Sequence, residues 1–275
     1  MTSILVSSDN PSVSKQIAEA VSAALEYEYV GDDLVLERVG KDRLSKDDLG
    51  RLLGKEIRPQ IPSGRLMKRL VLLEAALSEL LLGDNVVVDG LGAHLHIRGI
   101  SHVLNVRVLS DMRSQAHHLA VDKRISPRSA RKLLEKQARH IQQWSLLTFG
   151  VDETSPATYD IVMTLGTIDA DRAVATIVDM AKDRKFQPMT YSRKCLENLA
   201  LADRVRASLI ADYPGVKVVA EDGLVRLRLA KRWFGWQRVV ESLRDRVGKV
   251  EGVDGVEIYT SALPSHTPTT DMTGT

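Results

Sequence analysis

Asp89 stands where this chain could most readily do chemistry. It closes the apolar run Val86-Val87-Val88, which is entered from Gly83-Asp84-Asn85 and followed by Gly90. A short apolar run bounded by turn residues is how a strand buried on both faces of a parallel sheet reads. Ligands of open α/β sheets collect beyond the carboxyl ends of strands, so a carboxylate there can reach a phosphate-bound magnesium ion. The same residue also suits a plain turn or cap. A second stretch lies at the amino terminus: Ile4, Leu5 and Val6 read as a strand, Ser7 to Lys15 as a small-residue loop, and Ile17, Ala20, Val21, Ala24 and Leu25 recur at helical spacing from Gln16 onward. Strand, loop and helix in that order aim helix amides and the positive dipole end at a phosphate. The loop chemistry is poor for that task, because no glycine occurs between Met1 and Val30, Pro11 has no N–H and Val13 is β-branched. A third stretch is basic and helical, from Arg113 through Arg124 and Arg131 to Arg139. It reads either as a lid whose arginines clamp phosphates or as a solvated helical hairpin, and charge density alone favours the hairpin. His117 and His118 are adjacent, point to different sides of a helix and make a poor metal pair.

These stretches need elements to hold them. Between them, residues 26–65 alternate charged and apolar positions and read as a solvated helix surface followed by a loop containing Pro59 and Pro62. Leu66, Leu70, Leu73, Leu77, Leu80 and Leu81 then repeat at helical spacing up to Gly83, so a long amphipathic helix feeds the Val86–Val88 strand. Val103 to Leu109 reads as another strand, Tyr159 to Met163 as a further one, and Asp169 to Ala181 as a closing helix. At 275 residues the chain is long enough for two domains, each with its own core. Apolar content of 44%, charged content of 27% and a net charge of +2 describe an ordinary globular protein without the basic face of a nucleic-acid binder. One cysteine, Cys195, excludes an internal disulfide framework and a multi-cysteine metal site. No signal-type segment and no stretch of about 18 apolar residues is present, which gives a cytoplasmic expectation.

The second domain is expected after a linker at 186–195. Leu196, Leu199, Val205 and Leu209 suggest helix, Val216 to Val219 a strand and Asp222-Gly223 a hairpin turn. Val225 and Leu227 alternate with Arg226 and Arg228 on the opposite face. A helix through Val239, Leu243 and Val247 and a last strand ending near Ile258 complete an α-β-β-α-β order. Basic residues beside Trp233 and Trp236, in Lys231-Arg232-Trp233-Phe234-Gly235-Trp236, suit a membrane interface or a protein contact; burial of both indoles against the sheet is the alternative. Residues 263–275 are rich in Thr, Ser and Pro and read as a disordered tail.

The motifs NVVVDGLGAHLHIRG, FGVDETSPATYDIVMT and SPRSARKLLEK occur in the order found in the cytidylate-kinase-like family of P-loop nucleoside monophosphate kinases, which residues 1–185 resemble. The resemblance implies a P-loop NTPase-like α/β fold with a five-stranded parallel sheet flanked by helices. It also implies ATP with magnesium as donor and a nucleoside monophosphate as acceptor. Against the family's S-R-x-x-G-S-G-G-x-x-I-A loop, Ser7 to Ala18 keeps the framework and Ser12, and Lys15 falls one position past the usual lysine. The nucleotide-binding set implied is Ser12, Ser14, Lys15, Asp89, Gly90 and Arg139, with Asp89 as the magnesium ligand. Leu91, His117 and His118 stand where the family has arginines, and Thr164-Leu165 where it has Asn-Thr. Phosphoryl transfer depends on positioned charge, so losing these donors together costs ~4 kcal/mol or more of transition-state stabilisation. Residues 196–262 resemble a BON domain, a small α+β module with no catalytic group that is associated with phospholipid surfaces or protein partners. Two functions are therefore expected: a degenerate, nucleotide-binding or regulatory pseudokinase with a BON-like interaction module, or an active ATP-dependent CMP-type kinase.

Overall fold

A computed structural model describes residues 2–53, 63–229 and 236–260. The chain divides into two units, Met1–Ala200 and Leu201–Thr275. In the first, five strands lie in the spatial order β2-β3-β1-β4-β5, all parallel: β1 (Ser3–Ser8), β2 (Glu28–Val30), β3 (Val86–Asp89), β4 (Val103–Leu109) and β5 (Ile161–Thr164). The apolar runs of β1, β3 and β4 are buried because helices cover both faces. On one face Leu5, Val30, Val86 and Val88 pack under α2 (Asp32–Val39), α3 (Lys46–Leu52) and α4 (Gly64–Leu82). On the other, Ile4, Val6, Val87 and Val106 pack under α1 (Pro11–Leu25) and α8 (Ala170–Ala181). In α4 the leucine stripe does the packing: Leu70, Leu73, Leu77, Leu80 and Leu81 are all buried. Each fully buried leucine contributes roughly 2 kcal/mol.

Several sequence expectations are corrected. The amino-terminal helix starts at Pro11, not Gln16: Asn10 caps it by accepting the Ser12 N–H, and Pro11 takes the first helical position, where its missing N–H costs nothing. Residues 26–53 are more than a solvated surface. They contain the edge strand β2 and two short helices that bury Val35, Leu36, Leu49 and Leu52, elements too brief for periodicity to reveal. The supposed linker at 186–195 begins with fully buried Phe186 and continues into α9 (Thr190–Leu209), whose Leu196 also packs in the core. Among the described residues this unit also holds the short α5 (Ala93–His96) and the hairpin of α6 (Met112–Lys123) and α7 (Pro127–Phe149).

In the second unit, β6 (Lys217–Glu221) pairs antiparallel with β7 (Leu224–Arg228), which pairs parallel with β8 (Gly255–Tyr259); α10 (Trp236–Val247) connects the last two. The β6–β7 turn, Asp222-Gly223, has both residues at positive φ, and a Cβ on Gly223 would lie 2.2 Å from the Asp254 carboxylate, so only glycine fits. Val205, Leu209, Ala220, Val225, Leu227, Leu243 and Val247 form its core. Trp233 and the tail at 263–275 lie outside the described residues. Among the described residues no helix is long and apolar enough to cross a membrane.

Candidate functional site

The chain leaves β1 for α1 on one face of the sheet and leaves β3 for α5 on the other, so a crevice opens at the carboxyl ends of these neighbouring strands. Ser14 and Asp89 meet in it. Ser14, in the first turns of α1 and 3% exposed, donates its hydroxyl to the Asp89 carboxylate, and the Tyr29 hydroxyl donates to the other Asp89 oxygen at 2.9 Å. Burial first, then the Asp89 charge, pushes the Tyr29 pKa up, so Tyr29 remains a donor. After β3 the backbone turns through Gly90, Leu91 and Gly92, all at positive φ. The Gly90 N–H donates to the Val6 carbonyl at 2.7 Å, tying this turn to β1. Leu91, where the resemblance led to an arginine being expected, is 4% exposed and packs in the core, so that position offers nothing to a phosphate.

Of the other expected site residues, Lys15 lines the same cavity as Asp89, whereas Ser12 and Arg139 are not among its described lining residues. Ser12 is exposed and its amide is committed to the Asn10 cap. Lys15, with 61% of its side chain exposed, has its ammonium 3.7 Å from the Glu19 carboxylate, one helical turn on. Arg139 is exposed on α7, whereas Gln137, Ile141 and Trp144 of that helix face the crevice. Only Asp9 and Asn10 separate β1 from α1. Asp9 accepts from the Ser110 amide at 3.0 Å and from Gln115 Nε2 at 2.8 Å, so the turn is fastened to the β4–α6 junction.

A second cluster was missed by sequence reasoning. Arg107, in the middle of β4, is buried; its Nη1 donates to the Glu153 carbonyl at 3.0 Å and to the Tyr159 hydroxyl at 2.8 Å, and lies 3.5 Å from the Glu153 carboxylate. The Tyr159 oxygen also receives the Ser7 hydroxyl at 3.2 Å and lies 2.9 Å from His94 Nε2. Ser7 and Arg107 donate to it, its own hydroxyl donates to the Glu153 carbonyl at 2.9 Å, and the direction of the contact with His94 follows the imidazole tautomer. Burial, with the Arg107 charge second, holds the His94 pKa down at about 3. Burial also pushes Glu153 up, against the pull of Arg107. The signal available in sequence was a lone arginine inside the strand run Val-Leu-Asn-Val-Arg-Val-Leu, because a charge buried there requires partners.

Ser7, His94 and Glu153, together with Ser14, Tyr29 and Asp89, line one cavity of about 680 Å³. Among the described residues its lining has six carboxylates, from Asp9 to Glu153, against two lysines, Lys15 and Lys46. Lys46 lies 3.9 Å from the Asp33 carboxylate. A second cavity, of about 930 Å³, lies beyond the same β1–α1 turn between Ser110 and the Thr164–Thr167 segment; no lysine or arginine is among its described lining residues. Among the described residues no group of three or more His, Cys, Asp or Glu side chains is placed to hold a metal. Ser14 and Asp89 are nevertheless hard oxygen donors of the kind that hold magnesium when phosphates supply the remaining ligands.

In the second unit, Arg226 is paired with Glu221 at 2.8 Å and Glu257 at 3.2 Å, and Tyr259 donates to Glu257 at 2.7 Å. Arg228 shares that sheet face, in register with Lys217 and Tyr259. Trp236 is half-buried and packs against the unit's core.

A model of the cytidylate kinase-like family matches residues 4–167. Among solved structures, the chain is similar to an uncharacterized protein from Eubacterium ventriosum ATCC 27560, with 16% identity and a TM-score of 0.49 over 66% of this chain and 99% of that one. It is also similar to dephospho-CoA kinase from Campylobacter jejuni, with 12% identity and a TM-score of 0.32 over 66% of this chain and 97% of that one. No curated protein matches the chain.

Proposed function

The chain belongs to the cytidylate kinase-like family, and from that premise we propose that it is a pseudokinase, a kinase-type domain that binds a nucleoside-type ligand without transferring phosphoryl groups. The turn between β1 and α1 carries this reading. A phosphate cradle needs free amides and a lysine aimed at the anion. Here the helix begins at Pro11, which has no N–H, the Ser12 amide is spent on Asn10, and Lys15 is directed to Glu19. A triphosphate does not fit such a turn. A magnesium ion does fit Ser14 and Asp89, and when bound it would neutralise phosphate charge. Each positioned donor absent from phosphoryl transfer costs roughly 3 kcal/mol, or about 10²-fold in rate. The second unit, α-β-β-α-β in order and BON-like, serves as the interaction module toward a protein partner or a membrane surface, in a cytoplasmic protein.

The alternative is an active ATP- and magnesium-dependent CMP-type kinase, favoured by one observation, the Ser14–Asp89 hydrogen bond. A coupled assay for ADP release with ATP, magnesium and each nucleoside monophosphate separates the two, together with thermal unfolding in millimolar ATP. A ligand at 100 times its Kd would add about 2.7 kcal/mol of stability. The expected result is no turnover and no ATP-dependent shift. Turnover abolished by Asp89→Asn would overturn the pseudokinase reading.

A further inference from the structure

The helical hairpin of α6 and α7 concentrates two kinds of exposed side chain. Residues 112–149 hold eight Lys and Arg against Asp122 and Glu135, a net charge of +6 in a chain whose total is +2. All eight cations are exposed, and among the described residues only Arg131 of the eight has an ion pair, with Glu135 at 2.9 Å. Of the nine large apolar side chains exposed among the described residues, five lie here: Met112, Val121, Leu133, Leu146 and Leu147. Solvation alone accounts for the cations, but not for so many apolar side chains beside them. Arg128, Lys132, Lys136 and Arg139 recur every three or four residues and so share one face of α7, which Leu146 and Leu147 continue. The opposite face is already used: Ala130 and Leu134 pack with Ala116 and Ala120 of α6, and Ile141 and Trp144 border the cavity. The cationic stripe therefore points away from the crevice.

We infer that the outer face of this hairpin docks the chain on an anionic phospholipid surface, with Arg128, Lys132, Lys136 and Arg139 against the headgroups and Leu146 and Leu147 entering between them. Charge complementarity names the partner. Clusters of about four to eight Lys and Arg on a helix are drawn to an anionic leaflet, and adjoining leucines add apolar burial there. Nucleic acid, another polyanion, suits the face less well. Single strands are held on exposed aromatic rings, whereas Trp144 and Phe149 of this hairpin stack on each other and neither is exposed. Docking through this face does not depend on whether the domain transfers phosphoryl groups, and it lies on the first unit rather than on the BON-like one.

The test is co-sedimentation of the full chain with phosphatidylcholine vesicles, with and without one third phosphatidylglycerol. Wild type is compared with two triple charge reversals of equal net charge, Arg128→Glu/Lys132→Glu/Lys136→Glu on the stripe and Lys41→Glu/Lys182→Glu/Arg184→Glu off the hairpin. All six side chains are exposed, so both variants are expected to keep the wild-type unfolding midpoint. Wild type is expected to bind the anionic vesicles at least about tenfold more tightly than the neutral ones. Each Lys or Arg at an anionic surface is worth about fivefold in partitioning, so the stripe variant is expected to lose about 100-fold or more and the control, whose changes act only at long range, less than about tenfold. Leu146→Ser/Leu147→Ser is expected to lose roughly tenfold. No preference for the anionic vesicles, a stripe reversal no more harmful than the control, or unaltered binding by the leucine variant overturns the inference. A stripe that binds duplex or single-stranded DNA but no vesicle makes the partner nucleic acid and overturns it as well.

Discussion

Acidification is expected to destabilise the first unit through His94 in a way that one substitution removes. His94 is 4% exposed and its pKa is held at about 3 by burial and by Arg107, whereas an unfolded-chain histidine titrates near 6.5. Because the folded pKa is depressed, the unfolded state binds the extra proton as pH falls below about 6.5, and stability is lost until the folded group titrates near 3. Between pH 7 and pH 5 the unfolded state gains most of a proton, which at about 1.4 kcal/mol per unit amounts to roughly 2 kcal/mol. At pH 5 the folded group is still some two units above its own pKa, so this magnitude does not depend on the exact native value. The assay is urea unfolding at pH 7, 6 and 5, followed by Trp144 fluorescence in a Trp233→Phe/Trp236→Phe background, for proteins with His94 and with His94→Gln. Gln can still hydrogen-bond the Tyr159 hydroxyl, and every other titrating group is common to both proteins, so the difference in slope isolates His94. The His94 protein is expected to lose about 2 kcal/mol more over this range. Equal slopes would refute a neutral, buried His94.

Two further outcomes test the packing beneath the site. Leu77→Ala, in the buried stripe of α4, is expected to cost about 2–5 kcal/mol in urea unfolding, the cavity left behind adding to the lost transfer energy. Arg107→Met leaves Glu153 buried without its cation and is expected to cost about 3 kcal/mol at pH 7, while Arg107→Met/Glu153→Gln recovers much of that loss; additive losses from the two changes would show that the pair is not coupled.

The sequence by itself determined the frame of this protein. Apolar runs such as Ile4–Val6 and Val86–Val88 suit strands buried on both faces of a sheet, the leucine spacing of residues 66–81 suits an amphipathic helix, and an Asp closing a central strand falls at the carboxyl edge where ligands of such sheets collect. These are local signals, written in adjacent residues or in one period. The dipeptide Asn10-Pro11 was also a legible helix start, although the expectation of a phosphate loop obscured it. Only the tertiary structure decided which polar groups meet. Ser14, Tyr29 and Asp89 come from three elements, and Ser7, His94, Arg107 and Tyr159 from four separate segments; no spacing along the chain encodes their close approaches. The same holds in reverse for Arg139, whose type fits a phosphate site but whose place on α7 leaves it outside the described cavity lining, while Lys15 lines that cavity with its ammonium near Glu19. A side chain's chemistry is fixed by its identity, but its direction is fixed by the helix face or strand register that burial of its apolar neighbours selects. That selection is a property of the whole core.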